Sequence, residues 1–83
     1  MSVRVVLSQG FSMAHTKGQH EFQIEAKNLR GVIKALDERF PGLGQYLEEE
    51  TTVAIDGQIH ETAYFQPLKD GSEVFFLPKI EAG

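Results

Sequence analysis

The side chains able to do chemistry are few, and their spacing argues against a self-contained active site. His15, His20 and His60 are the only imidazoles, and none stands four residues from another, as a helical metal pair requires. There is no cysteine, which excludes disulfides, zinc–thiolate centres and thiol nucleophiles. Ser8, Ser12 and Ser72 lack the glycine-flanked context of a nucleophile elbow. Glu48, Glu49 and Glu50 could be read as paired carboxylates, or as the solvated end of a helix. The pattern points away from an enzyme acting alone and from a resident metal.

Size and charge narrow the classes further. A chain of 83 residues holds one domain and one modest core, with an expected radius of gyration of roughly 12 Å. The formal charge of −4 and scattered Lys and Arg oppose an electrostatic grip on nucleic acid. No apolar run approaches the ~20 residues that span a bilayer. Met1-Ser2-Val3-Arg4 leads into an alternating pattern rather than a signal-peptide core. No membrane or nucleic-acid partner is expected, and the cytoplasm is the default location.

The elements that would position a site follow from periodicity. Val3 to Ser8 alternates as a strand, with Val3, Val5 and Leu7 on one face and Val6 on the other. Gln9 to Gln19 reads as a loop, marked by Gly10, Ser12 and Gly18, with Phe11 and Met13 expected to fold onto the core. His20 to Ala26 alternates again. Asn28 is a candidate N-cap. Leu29, Val32, Ile33, Leu36 and Phe40 then form one helical stripe, stopped by Pro41-Gly42. Leu43 to Glu50 predicts a short second helix, and Thr51 to Ile55 a strand. Asp56-Gly57 is a hairpin turn, with a return strand at Gln58 to His60. Glu61 to Leu68 reads as irregular, and Ser72 to Leu77 as the last strand, stopped by Pro78.

The first and last strands are apolar on both faces, which suits central strands. Placed side by side they run parallel, and the main helix covers one face. This is an α+β, ubiquitin-like β-grasp with a mixed sheet. The domain is expected over 1–78 and a flexible C-terminal tail over 79–83. Parity sends Val74 and Phe76 toward the helix and Phe75 and Leu77 to the open face, beside Val6 and extended by Ile59. Either a partner covers that apolar surface, or the loop carrying Phe11 and Met13 does.

Three segments carry a family resemblance that extends from Val3 to Gly83. Leu29 to Leu43, LRGVIKALDERFPGL, resembles the helix and Phe-Pro-Gly exit of the MoaD/ThiS sulfur-carrier family. Val53 to Gly57 is similar to its V-A-V-N-G hairpin, and Pro67 to Pro78 to its P-L-x-D-G-D-E-V strand and proline. The resemblance leans toward the small subunit of molybdopterin synthase.

It implies that Gly83 is the reactive residue, on a tail of Ile80, Glu81 and Ala82. An ionised carboxylate is a poor electrophile, so an E1-like adenylating enzyme would spend ATP to make an acyl-adenylate at Gly83. Sulfur would then displace AMP and leave a thiocarboxylate. No cofactor is bound by the carrier itself. The implied acceptor is a synthase, such as the molybdopterin synthase large subunit, a thiazole synthase or an analogue. Val6, Ile59, Phe75 and Leu77 would form the docking patch. The chain departs from the family's Gly-Gly ending with Ala82-Gly83, and carries Glu81 where a small or neutral residue is usual. A non-covalent ubiquitin-like binding module and a protein modifier joined to lysines stay open as alternatives.

Overall fold

The computed structural model describes residues 2–60 and 67–79. Eight elements follow in order: β1 (Ser2–Leu7), α1 (Gln9–His15), β2 (Glu21–Glu25), α2 (Leu29–Arg39), α3 (Leu43–Glu50), β3 (Thr51–Ile55), β4 (Gln58–His60) and β5 (Glu73–Pro78). The strands form one mixed sheet in the order β2-β1-β5-β3-β4. β1 and β5 are neighbours and parallel, as the apolar runs required, and the other pairs are antiparallel. This is the ubiquitin-like β-grasp, with a Cα radius of gyration of 11.7 Å.

Alternation sorts each strand between two faces. Val3, Val5 and Leu7 of β1, Phe22 and Ile24 of β2, Val53 and Ile55 of β3, and Val74 and Phe76 of β5 are buried together. Leu29, Val32 and Leu36 of α2 and Leu43 and Leu47 of α3 close this face. Val32 and Leu36 have no exposed surface, and complete burial of such side chains stabilises by about 1.5–3 kcal/mol each. Phe11 of α1 joins the same cluster, so among the described residues no helix covers the other face of the sheet.

The punctuation follows local chemistry. Asn28 caps α2, its Oδ1 accepting the Gly31 N–H at 2.9 Å. Phe40 closes α2 as its C-cap rather than continuing the helix, with φ −131° and ψ 89°, because Pro41 disfavours helical backbone in the residue before it. Its ring still packs edge-on to Phe22, centroids 6.0 Å apart. Gly42 then takes φ 92° to start α3. Asp37 bridges the two helices, its Oδ1 accepting the Gly44 N–H at 2.9 Å. At the hairpin, Asp56 and Gly57 both have positive φ, 49° and 86°. That matches a type I′ turn, whose twist suits antiparallel strands.

Three readings need correction. The segment read as a loop over Gln9 to Gln19 contains α1. Gly10 and Ser12 are weak helix formers, but Phe11 joins the core cluster and Ser12 and Thr16 are buried one turn apart. Tertiary burial outweighs propensity there. Met13, expected on the core, is 67% exposed. The last strand begins one residue later than expected and includes Pro78, which pairs with Thr51 as its final residue. A strand end tolerates proline because the ladder needs no further N–H there.

Candidate functional site

The open face carries an apolar row set by strand register. Val6 of β1 pairs with Phe75 of β5, Phe75 with Ala54 of β3, and Ala54 with Ile59 of β4. Four consecutive strands thus place four apolar residues in line. At ordinary strand spacing the row is about 14 Å across. Leu77, two residues beyond Phe75 and on the same face, pairs with Thr52 and lengthens the patch toward the end of β5.

All four residues expected in the patch are therefore brought together. Ile59 is 66% exposed and Leu77 37%, while Val6 and Phe75 are half-buried by their neighbours. Ala54 was missed. It is buried yet outside the core cluster, as its register between Phe75 and Ile59 on the opposite face requires. Its parity between inward Val53 and Ile55 was the available signal.

α1 does not cover this surface. Its Phe11 packs with the core, and its His15 lies against α3: the ring stacks on Tyr46 at 4.3 Å, and Nε2 is 3.4 Å from Glu50 Oε1. The alternative in which the early segment shields the patch is thus overturned.

A charged border closes one end of the patch. Arg4 Nε donates to Glu21 Oε1 at 2.8 Å, and Arg4 Nη1 is 3.7 Å from Glu73 Oε1. The hydrogen bond to Glu21 and its charge raise the Arg4 pKa, and the same hydrogen bond from Arg4 lowers that of Glu21. These charges are solvated, so they act as a polar rim.

At the other end β5 runs into the root of the expected tail. The Lys79 N–H donates to the Glu50 carbonyl at 3.1 Å, and its Nζ to the Glu48 carbonyl at 3.1 Å. Sequence reasoning missed this contact, since no local pattern pairs residues so far apart. A small recess lies beside it, lined by Ser8, Gly10, Phe11, Ala14, Glu50, Thr51 and Pro78. Ser8 Oγ is buried without a hydrogen-bond partner among the described residues. Ile80, Glu81, Ala82 and Gly83, expected to carry the reactive tail, lie outside the described residues.

The histidines do not converge among the described residues. His15 faces Glu50, whereas His20 Nδ1 lies 3.2 Å from the Gly18 carbonyl on a separate turn. No helix of the described residues is long and apolar enough to cross a membrane.

No family profile matches the sequence, and no curated protein matches it. Solved structures do match. A chain of the complex between subunits 1 and 2 of molybdopterin-converting factor from Helicobacter pylori is 24% identical, with TM-score 0.70 and complete coverage of both chains. A chain of the Amycolatopsis orientalis BexX/CysO complex is 20% identical with TM-score 0.80, over 98% of this chain and 99% of that one. Small archaeal modifier protein 1 from Methanosarcina acetivorans is 21% identical with TM-score 0.77, over 99% and 96%. End-to-end coverage makes the likeness one of whole domains. The chain has the ubiquitin-like β-grasp fold that these structures share.

Proposed function

We propose that this chain is a sulfur-carrier protein rather than an enzyme, acting through the carboxylate of Gly83. The observation that carries the reading is the apolar row Val6–Phe75–Ala54–Ile59, left open by the helices and continued through Leu77 to the root of the tail. A partner seated on that row receives the residues after Lys79 from the adjoining strand. The fold likeness to molybdopterin-converting and CysO complexes supports the same reading.

The chemistry needs two partners. On an E1-like adenylating enzyme, the Gly83 carboxylate attacks the α-phosphorus of ATP and pyrophosphate leaves, giving an acyl-adenylate. A hydrosulfide ion then adds to the activated carbonyl and AMP departs, leaving a thiocarboxylate; a persulfide donor would leave an acyl disulfide instead, which a thiol must then reduce to the thiocarboxylate. The C–O bond to AMP breaks as the C–S bond forms. Glycine at this position lets the enzyme's backbone approach closely, and confinement of the tail aligns the reacting atoms. The second partner is a synthase that accepts the sulfur, of the molybdopterin type, and both steps take place in the cytoplasm.

The test is to incubate the protein with its adenylating enzyme, ATP and sulfide, then weigh the intact protein. Replacement of one oxygen by sulfur at Gly83 is the expected result. An unchanged mass in the presence of ATP consumption rejects the carrier reading.

A second reading is a protein modifier, favoured by the likeness to small archaeal modifier protein 1. It shares the adenylation and differs in its acceptor, a lysine amine instead of sulfur. Isopeptide-linked adducts in the same reaction, after addition of a protein acceptor, would select it. A purely non-covalent module is distinguished by its indifference to residues added after Gly83.

A further inference from the structure

The C-terminal turn of α3 leaves its last carbonyls without helical partners, as every helix does. Here the gap is filled from elsewhere in the chain. The Leu47 carbonyl is taken by Thr51, through both its backbone N–H and its Oγ1 hydroxyl. The Glu48 carbonyl accepts from Lys79 Nζ and the Glu50 carbonyl from the Lys79 N–H, each at 3.1 Å. The last turn of α3 has no basic residue of its own and carries three successive glutamates. Lys79 therefore brings a cation to a helix end where the macrodipole and the side chains are both negative.

The turn that holds Lys79 is itself braced. Glu50 faces His15 on α1, whose ring stacks on Tyr46 at 4.3 Å and meets Phe11 at a tilt, centroids 4.6 Å apart. Phe11 belongs to the core cluster. Residue 79 is thereby tied, through α3 and α1, to the rigid body of the domain.

We propose that Lys79 is a positioning residue: a clamp that sets the point from which the tail departs, and hence how far it reaches into a partner. Its role in transfer rests on the carrier reading, whereas the clamp itself does not. Between Lys79 and the end of Gly83 there are four residues, which fully extended span about 14 Å. The partner's reacting centre must lie within that distance of the α3 C-terminal turn. A root released from the turn gives the tail a wider cone of directions, and the effective concentration of the carboxylate at the reacting centre falls. Docking through the apolar row is untouched by that loss.

The experiment has two parts. First, amide exchange of Lys79 is followed in the intact protein and in Lys79→Ala. The wild-type N–H is expected to exchange at least about tenfold more slowly than in an unstructured chain, and the variant several-fold faster than wild type. A wild-type amide that exchanges at the unstructured rate overturns the clamp. Second, thiocarboxylate formation by the adenylating enzyme, ATP and sulfide is measured for both proteins and for Lys79→Arg. Lys79→Ala should lower kcat about tenfold with little change in KM, and Lys79→Arg, which keeps a donor for the Glu48 carbonyl, should restore most of it. Equal kcat in wild type and Lys79→Ala overturns the positioning role and leaves the carrier reading intact. Wild-type protein that is never loaded overturns the carrier reading and the role in transfer with it, while the exchange result still decides the clamp.

Discussion

Val6 and Phe75 stand opposite each other in the parallel pair of β1 and β5, both directed to the face that the helices leave uncovered. Their neighbours in sequence, Val5 and Val74, are also partners and have no exposed surface. One residue along each strand thus separates the core from the candidate docking surface. Phe75→Asp should weaken binding to the adenylating enzyme by tens-fold or more, as removal of a central aromatic contact commonly does. The fold should persist, because the carboxylate points away from the core. Titration calorimetry checks the affinity, and unchanged binding would remove the patch from the proposal.

Ile59 offers a cleaner control, since it is 66% exposed at the end of the same row. Ile59→Asp should reduce affinity less than Phe75→Asp, while leaving the thermal midpoint within a few degrees of wild type. A larger loss at Ile59 than at Phe75 would move the centre of the contact toward the β4 edge.

Leu36 tests the opposite face. It has no exposed surface, so Leu36→Ala removes buried methyl groups and leaves a cavity. The expected cost is about 2–5 kcal/mol, which for a domain of this size lowers the midpoint by about 8 °C or more. Denaturant melts read this directly. A cost below about 1 kcal/mol would show that the helix layer collapses around the gap.

Two glycines should respond in opposite directions. A Cβ meets nothing within 4 Å at either Gly10 or Gly42, so crowding is the same at both. Gly42 has φ 92°, where Ala is strained by about 1–2 kcal/mol. Gly10 lies within α1, where Ala is favoured over Gly by about 0.5–1 kcal/mol. Gly42→Ala should therefore destabilise and Gly10→Ala stabilise, as measured by urea unfolding.

The Arg4–Glu21 pair predicts an acid-side effect. Arg4 holds the Glu21 carboxyl below the ordinary glutamate range, chiefly through their hydrogen bond. A carboxyl whose folded pKa is lowered binds its proton less readily in the folded than in the unfolded chain. Its contribution to stability is therefore complete above the ordinary glutamate value, and is lost as pH falls through the lowered one. Arg4→Ala should return the Glu21 titration toward the ordinary value and flatten that part of the stability profile. An NMR titration of the Glu21 carboxyl gives the answer, and an identical midpoint in both proteins would show that the pair is broken in solution.

The sequence by itself determined which segments form the five strands and which face of each turns inward, because these depend on short-range periodicity. Alternation in Val3–Ser8 and Ser72–Leu77, the helical stripe from Leu29 to Phe40 and the Asp56-Gly57 turn are each read within a few residues. It also carried Val6, Ile59, Phe75 and Leu77 to the open face by parity alone. Only the tertiary structure decided the rest. α1 exists because Phe11 finds a core to enter, against the weak propensity of Gly10 and Ser12. Register put Val6, Phe75, Ala54 and Ile59 in one line. The hold of α3 on Lys79 joins groups about thirty positions apart in the chain. Such contacts are fixed by how whole elements pack, and packing brings together residues that no local pattern relates.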